Sequence, residues 1–338
     1  MAARGDRDRW CARRQLPTQE PRGAEHPDFD DVPWAPFAIG GAWGGYDRVA
    51  WFRARVEIPP EWRDERLVLR FLVGPRDGGG STAETLLYVN GVALQAIDIW
   101  HDEAWLPPEL TASGTLSIAL RSWSGVLDVP ERRRFRLARL ERIDAPTEQF
   151  FFLADTLLKA VQELAADDLR RVTLLAALDE SFKRIAFARP TSDAFYASVA
   201  GSLEWLRAEV ARLSERDELK PTVVAIGHAH IDMAWLWRSA HSREKAARTF
   251  ATVLHLMRQY PEYRFMHSSP QLYKFLKQDQ PEIYARVKER IQAGDWEITG
   301  GAWIEPDTNL PNGESLVRQI LFGKRFVRDE FGIEMRVL

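Results

Sequence analysis

The chain has 338 residues, of which 45% are hydrophobic and 28% charged, with a formal net charge of -3. That length holds two or three domains of ordinary size, and the charge gives no support for a nucleic-acid or anionic-membrane partner. One cysteine, Cys11, excludes an internal disulfide framework and fits a reducing compartment.

Residues 1–28 are rich in Arg, Asp and Pro, lack periodicity and contain no apolar segment of the kind a signal peptide needs, so they read as a disordered tail. No apolar run approaches the roughly 20 residues of a membrane helix. The expected location is the cytoplasm. Residues 29–145 carry short strand patterns: "VAWFRARVEI", "LVLRFLV", "TLLYVNGVALQ", "LSIALRSW" and "FRLARLERI". Asn90-Gly91 between two β runs is a hairpin signal, and five or more strands with Gly- and Pro-rich turns predict a β-sandwich. "GPRDGGGSTAE" (74–84) is a flexible connection in it, not a phosphate loop. The thirteen tryptophans have two readings: core packing, or flat faces for sugar stacking.

Asp144-Ala145-Pro146 closes that domain. Residues 146–218 form a helical region with three amphipathic runs, the third opened by Thr191, Ser192 or Asp193 as N-cap and set off by Pro190. From 219 to 338 the pattern becomes parallel α/β. Apolar "TVVAIG" reads as a buried strand, 241–259 as a helix, "YRFMHS" (263–268) as a strand, and then come helices ending at Gly294. "WEITGGAW" (296–303) is the next strand, a helix stops at Gly332, and "IEMRVL" begins a fourth strand. The fold class is therefore multidomain: a β-sandwich, a helical linker region, and the first strands of a parallel, barrel-like α/β catalytic domain. Ending on an apolar strand with no helix after it predicts that the domain is incomplete.

The candidate site lies in "VVAIGHAHIDMAWLW" (223–237). Residues i and i+2 of a strand share a face, so His228, His230 and Asp232 project together where the strand ends. Active sites of parallel α/β domains lie at such ends, and imidazole with carboxylate suits zinc. "GGAWIEPDTN" (300–309) follows another strand and brings Asp307 to the same rim. The alternative is a polar loop network with Asp307 as a turn or cap residue. His267 reads as a satisfied surface or core residue and His255 as helix packing; His26 and His101 have no motif partners.

"GHAHIDMAWLW", "HSSPQLYKFLK" and "GDWEITGGAWIEPDTNLPNGESLVRQILFGKRFVRDEFG" together resemble the start of the catalytic domain of glycoside hydrolase family 38 α-mannosidases, most closely the cytosolic and bacterial branch. The specific similarity covers about residues 222–338; over 29–218 it is architectural. The resemblance implies that His230 and Asp232 bind zinc, or another divalent cation, and that Asp307 is both a metal ligand and the catalytic nucleophile. It implies that Trp235 lies against the sugar and that His228 is a motif histidine but not a ligand. The substrate would be a mannose-containing oligosaccharide, and the complete enzyme a homo-oligomer. By the same resemblance a further metal histidine and the acid/base aspartate come from segments beyond Leu338, so the fragment alone is expected to be inactive. Two competing readings remain: another metal-dependent carbohydrate hydrolase of the deacetylase type, in which Asp307 is a base, and a non-catalytic carbohydrate-binding or assembly module whose working groove is lined by Trp100 and Trp105.

Overall fold

In the computed structural model, which describes residues 10–15, 20–74, 83–126, 133–215 and 222–337, the N-terminal part is made of antiparallel strands. They are β1 (Trp10–Gln15), β2 (Ala35–Phe37), β3 (Ala42–Trp43), β4 (Val49–Glu57), β5 (Leu67–Leu72), β6 (Glu84–Val89), β7 (Val92–Ile97), β8 (Glu103–Trp105), β9 (Thr115–Trp123), β10 (Arg133–Arg134) and β11 (Leu137–Arg142), with a short helix α1 (Pro108–Thr111) before β9. The predicted hairpin is present. Asn90 and Gly91 both take positive φ, 51° and 84°, the turn whose twist matches the flanking strands, and β6 pairs with β7 across it. Six strands form one sheet in the order β2-β1-β4-β9-β6-β7.

One face of this sheet is aromatic. Phe52 of β4 meets Phe37, Trp43 and Phe135 at ring distances of 5.0, 5.5 and 5.1 Å, all edge to face. Such geometry suits the ring quadrupoles. β5 brings Phe71 to this layer and lies between two neighbours: the Phe71 amide donates to Asp102 O at 2.8 Å and the Arg136 amide to Leu72 O at 2.7 Å. The sandwich reading therefore holds. The tail reading fails over β1, which pairs with β4 and β2 although its composition looks unstructured. Trp10 explains it: the ring is buried 5.1 Å from Phe135 and 6.1 Å from Phe71, so a single aromatic anchors an arginine-rich strand. Ala24 is buried too, and Glu20 is held by Trp51 and Arg121. Residues 1–9 and 16–19 of that segment, and 75–82 of the glycine-rich connection, lie outside the described residues.

Two compact units divide the chain. One contains Pro59–Leu69 and Arg139–Val223. Its helices are α2 (Ala145–Glu163), α3 (Leu169–Lys183) and α4 (Asp193–Ser214). Asp144, Asp168 and Ser192 cap them, each side chain accepting a first-turn backbone N–H, which satisfies a donor that has no partner inside the helix. Their core is Phe150, Leu178, Val199, Leu203 and Leu206.

The other unit contains Gly5–Ile58, Arg70–Ala138 and Val224–Leu338. Here the sandwich strands and the C-terminal segment share one core. The latter holds β12 (Gly227–His228), α5 (Ser239–Gln259), β13 (Phe265–His267), α6 (Pro270–Asp279), α7 (Pro281–Ala293), β14 (Trp296–Ile298) and α8 (Gly313–Phe331). β12, β13 and β14 form a parallel sheet in that order. α7 and α8 stop at Gly294 and Gly332, both left-handed at φ 80° and 72°.

The strands are shorter than their patterns predict. Of the expected 222–227 run only Gly227 enters the ladder, joined by His228, and Val223, Val224 and Ile226 are exposed where a buried parallel strand was expected. β12 is an edge with one neighbour, so nothing in the sheet fixes the residues before it. β14 ends at Ile298, and no strand forms over residues 333–337, where Met335 instead packs into the core. The barrel reduces here to a three-stranded parallel sheet with its helices. Among the described residues no helix is long and apolar enough to cross a membrane.

The second face of the six-stranded sheet lies against α5. Trp51, Leu86, Tyr88 and Ala119 meet Ala246, Ala247, Phe250 and Leu254 in a common cluster. Edge strand β7 is covered as well: Thr252 Oγ1 accepts from the Ala96 amide at 2.9 Å, and Arg286 Nη1 donates to Ala93 O at 3.0 Å. Within this interface Glu20, Glu84 and Glu244 face Arg121, Lys245 and Arg248. Lys245 reaches Glu84 at 2.6 Å, Arg248 also contacts Glu84, and Arg121 binds Glu20 and, at 2.8 Å, Glu244. Burial disfavours ionised Glu84 and Glu244, but the facing cations outweigh it and hold both carboxyls below their ordinary range.

His255 of α5 sits in this interface, 1% exposed, 5.8 Å from the Trp105 ring, as its packing reading predicts. Burial, helped by Arg286, pushes its pKa down to about 4, and its Nε2 has no hydrogen-bond partner among the described residues. The unfolded chain therefore protonates His255 near its ordinary 6.5 while the folded chain resists until about 4. Stability is expected to be flat above pH 6.5 and to fall between 6.5 and 4, with ~3 kcal/mol lost through this residue. His255→Leu should be neutral or stabilising at pH 7 and should flatten that limb; urea midpoints measured across the pH range check it.

Candidate functional site

β12 runs into a segment in which inward and outward residues alternate. Ile231 is buried and Ala229 packs against the core, while His228 and His230 are exposed. The shared-face expectation therefore holds for the two histidines. The stretch that follows is tied to α5: Ser242 Oγ donates to Asp232 O at 2.8 Å and accepts from Trp237 Nε1 at 3.0 Å. Trp235 remains 68% exposed, edge to face with Trp237 at 5.9 Å.

His230 is the centre of the constellation. Its Nε2 lies 3.2 Å from Asp232 Oδ1 and its Nδ1 2.9 Å from Glu305 Oε2. Glu305 is held in turn by the Ser268 hydroxyl, which donates to Oε1 at 2.8 Å. The tautomer with Nδ1–H directed at Glu305 would leave the Nε2 lone pair beside the Asp232 carboxylate, the arrangement that a cation between them requires. One nitrogen and one oxygen donor thus meet at a point, the pairing a borderline cation such as zinc takes, and a carboxylate behind the histidine is the usual device for fixing its tautomer. Glu305 was missed in the sequence, where the eye goes to Asp307 two residues on. The available signal was its own position in "WIEPDTN", one face-step from Asp307 on the same rim.

Asp307 is not gathered with this pair. Its Oδ1 accepts the amides of Asn309 at 2.7 Å and Leu310 at 3.3 Å, an Asx-type turn inside its own loop. Among the described residues no group of three His, Cys, Asp or Glu side chains converges as a metal site. His230 and Asp232 fit a metal as donors, and Asp307 faces its own backbone.

His267 ends β13 and is 2% exposed, between Phe250 at 5.0 Å and His228 at 6.1 Å. Burial pushes its pKa down to about 4, only partly offset by the Ser268 carbonyl 2.5 Å from Nδ1. It is a neutral packing residue that supports the rim, as the reading of a satisfied histidine expected. Trp105 packs on His255, whereas Trp100 is 82% exposed, so the two do not line one groove by their burial alone.

The loop carrying Glu305 and Asp307 is set by α8. Gln319 O accepts the Trp303 amide at 2.9 Å, Gln319 Oε1 accepts the Ile304 amide at 3.0 Å, and Trp303 Nε1 donates to Gln271 Oε1 at 2.9 Å. Gly323 of α8 lies directly beneath: a Cβ there would sit 2.3 Å from Gly301 O and 2.8 Å from Ala302 C.

Residues 220–338 match the Glycosyl hydrolases family 38 N-terminal domain, and residues 17–120 match the Alpha-mannosidase, jelly roll domain. The chain is 26% identical to "Alpha-mannosidase G" of Dictyostelium discoideum over 87% of its own length and 27% of that protein. It is 28% identical to "Alpha-mannosidase 2C1" of Homo sapiens over 94% of its length and 30% of that protein. Over 116 residues, 34% of this chain and 11% of the other, it is 43% identical to "Alpha-mannosidase" of Saccharomyces cerevisiae. The chain thus spans less than a third of the length of these relatives. A β-glucuronidase 2 variant of Bacteroides uniformis overlaps 40% of this chain and 17% of its own at 14% identity and a TM-score of 0.31, a likeness too slight to carry an argument.

Gly323→Ala is expected to lower stability by ~1–3 kcal/mol, because backbone on the far side of the contact must move. Thermal unfolding measures the loss, and faster amide exchange at residues 301–305 locates it.

Proposed function

On the premise that this chain carries the family 38 N-terminal domain behind an α-mannosidase jelly roll, we propose that it forms part of the active site of a retaining α-mannosidase acting on terminal α-mannosyl units of oligosaccharides. The observation that carries the reading is the His230–Asp232 donor pair, braced by Glu305, at the end of β12 inside the matched domain. The setting is a barrel-like α/β domain, with its site at the carboxyl ends of the parallel strands.

Asp307 is the nucleophile in this reading. Its carboxylate, oriented by the Asn309 and Leu310 amides, attacks the anomeric carbon. The bond from that carbon to the leaving-group oxygen breaks as a glycosyl ester forms, and that oxygen takes a proton from an acid/base carboxyl supplied by the rest of the full-length enzyme. Water then hydrolyses the ester, returning the carboxylate and releasing mannose with its configuration retained. A divalent ion, zinc by donor chemistry, would be held by His230 and Asp232, and when bound would supply electrostatic recognition of the vicinal hydroxyls of mannose. Trp235 offers its exposed ring to the apolar face of the sugar. The location is the cytoplasm, consistent with one cysteine in 338 residues. The partners are oligosaccharides, with neither nucleic acid nor membrane.

Asp307→Asn in the full-length protein should reduce turnover of an aryl α-mannoside by more than ~10³-fold, since an amide cannot form the ester, and mass spectrometry with a fluorosugar should label a peptide containing residue 307 only in the unmutated protein. Near-normal kcat in the variant would refute the nucleophile. His230→Ala and Asp232→Ala should each lower bound metal measured by inductively coupled plasma mass spectrometry. Glu305→Gln should weaken zinc affinity by about 10–100-fold with the fold intact; unchanged metal in all three would remove the donor pair from the reading.

A further inference from the structure

A cavity of about 790 Å³ lies beside the exposed Trp235, and the sandwich builds half of it. From the C-terminal segment come Trp235, Leu236, Trp237, Arg238 and His241; from the sandwich come Gly45–Arg48 and Val126. Both sets belong to the same compact unit. Its size is within the roughly 300–1,000 Å³ of small-ligand sites. Two side chains stand out by exposure: Trp235 and Tyr46, each 68% exposed. An exposed aromatic on each wall, with Arg48 and Arg238 also in the lining, is the chemistry that takes a saccharide: flat apolar ring faces against C–H patches, charged donors against hydroxyls.

The sandwich loop is fixed there by a buried carboxylate. Asp47, 7% exposed, accepts from Trp123 Nε1 at 2.9 Å and from His241 Nε2 at 2.9 Å, and pairs with Arg238. The chain bends to reach it: Gly44 and Gly45 take φ of 109° and 134°, and Asp47 itself takes 50°. A carboxylate without a side chain longer than Asp's suits this left-handed position, and the three donors compensate its strain. Asp47 therefore ties Tyr46 and Arg48 to the first turn of α5, and so to the stretch carrying Trp235.

We propose that Tyr46 is a substrate-binding residue contributed by the sandwich: it stacks on the saccharide unit on the leaving-group side of the scissile bond, while Trp235 takes the mannose that is transferred. The proposal rests on the α-mannosidase reading and extends it to the oligosaccharide's second unit. Asp47 acts through Tyr46 and is a positioning residue.

The test compares two substrates on the full-length protein. α-Mannosyl fluoride has no second sugar, whereas α-mannobiose does. Tyr46→Ala should lower kcat/KM for mannobiose about tenfold, equivalent to ~1.4 kcal/mol, mostly through KM, and leave the fluoride unchanged. Tyr46→Phe, which keeps the ring, should behave as the unmutated protein on both. Equal losses on the two substrates, or no loss on mannobiose, would overturn the proposal while leaving the mannosidase reading in place. An unmutated protein that turns over neither substrate would overturn both.

Discussion

Three half-buried carboxylates facing three cations, of which Arg248 is buried, hold the sandwich to the C-terminal segment. Glu20, Glu84 and Glu244 are matched by Arg121, Lys245 and Arg248 at an interface otherwise made of apolar and aromatic side chains such as Trp51, Leu86, Tyr88, Phe250 and Leu254. Removing two charges from water costs several kcal/mol per ion, so such a set is tolerated only when every member is paired. The pairing is directional. It forms in one register of α5 on the sheet, because Glu244, Lys245 and Arg248 lie within little more than one helical turn and must meet β6 and β9 together. Apolar contacts alone would tolerate a slide of the helix; the charges do not. Everything downstream depends on that register, since α5 follows directly from the segment bearing His230, Asp232 and Trp235.

How much of this was legible in the residues depends on the distance over which each feature is decided. Helix ends were readable because caps are local: Asp144, Ser192, Gly294 and Gly332 act on atoms within a few residues. The Asn90-Gly91 hairpin was readable for the same reason. β1 was not, because the decision lies with Phe71 and Phe135, more than sixty residues away, and the local composition argues against order. The double burial of the six-stranded sheet was also hidden. β9 carries near-continuous apolar and small residues, which reads as a sandwich strand, and nothing in it says that a helix beginning at Ser239 covers the outer face.

The site divides along the same line. Same-face spacing at a strand end is a local rule, and it brought His230 and Asp232 to notice. The Glu305 contact joins two loops 75 positions apart and follows from the parallel order β12-β13-β14, which puts the end of the first strand two strands from the end of the third. Ser268, at the end of the intervening strand, bridges that gap by holding Glu305. So all three strand ends contribute to the placement of one imidazole. Asp307 was equally visible in sequence, yet its carboxylate is satisfied by its own loop. A turn-capping carboxylate and a catalytic one obey the same hydrogen-bond rules, which is why spacing alone could not separate them.

His241 illustrates how the two halves of the large unit constrain each other's chemistry. Its Nδ1 accepts the Arg238 amide at 3.2 Å, which fixes the entry to α5, and its Nε2 is thereby left to donate to Asp47. Each nitrogen has one role, and together they define a neutral imidazole. A proton added to Nδ1 would face the Arg238 N–H and break the cap. Burial already lowers the His241 pKa, and Arg238, Arg248 and Lys245 lower it further against the opposing pull of Glu244. The ring is therefore held neutral by desolvation, by nearby cations and by its own hydrogen-bond directions at once. Neutrality in turn leaves the Asp47 charge to be balanced by Arg238, which draws that guanidinium to the sandwich loop. The position of Arg238 on the wall of the Trp235 cavity thus follows from a protonation state fixed one helical turn away.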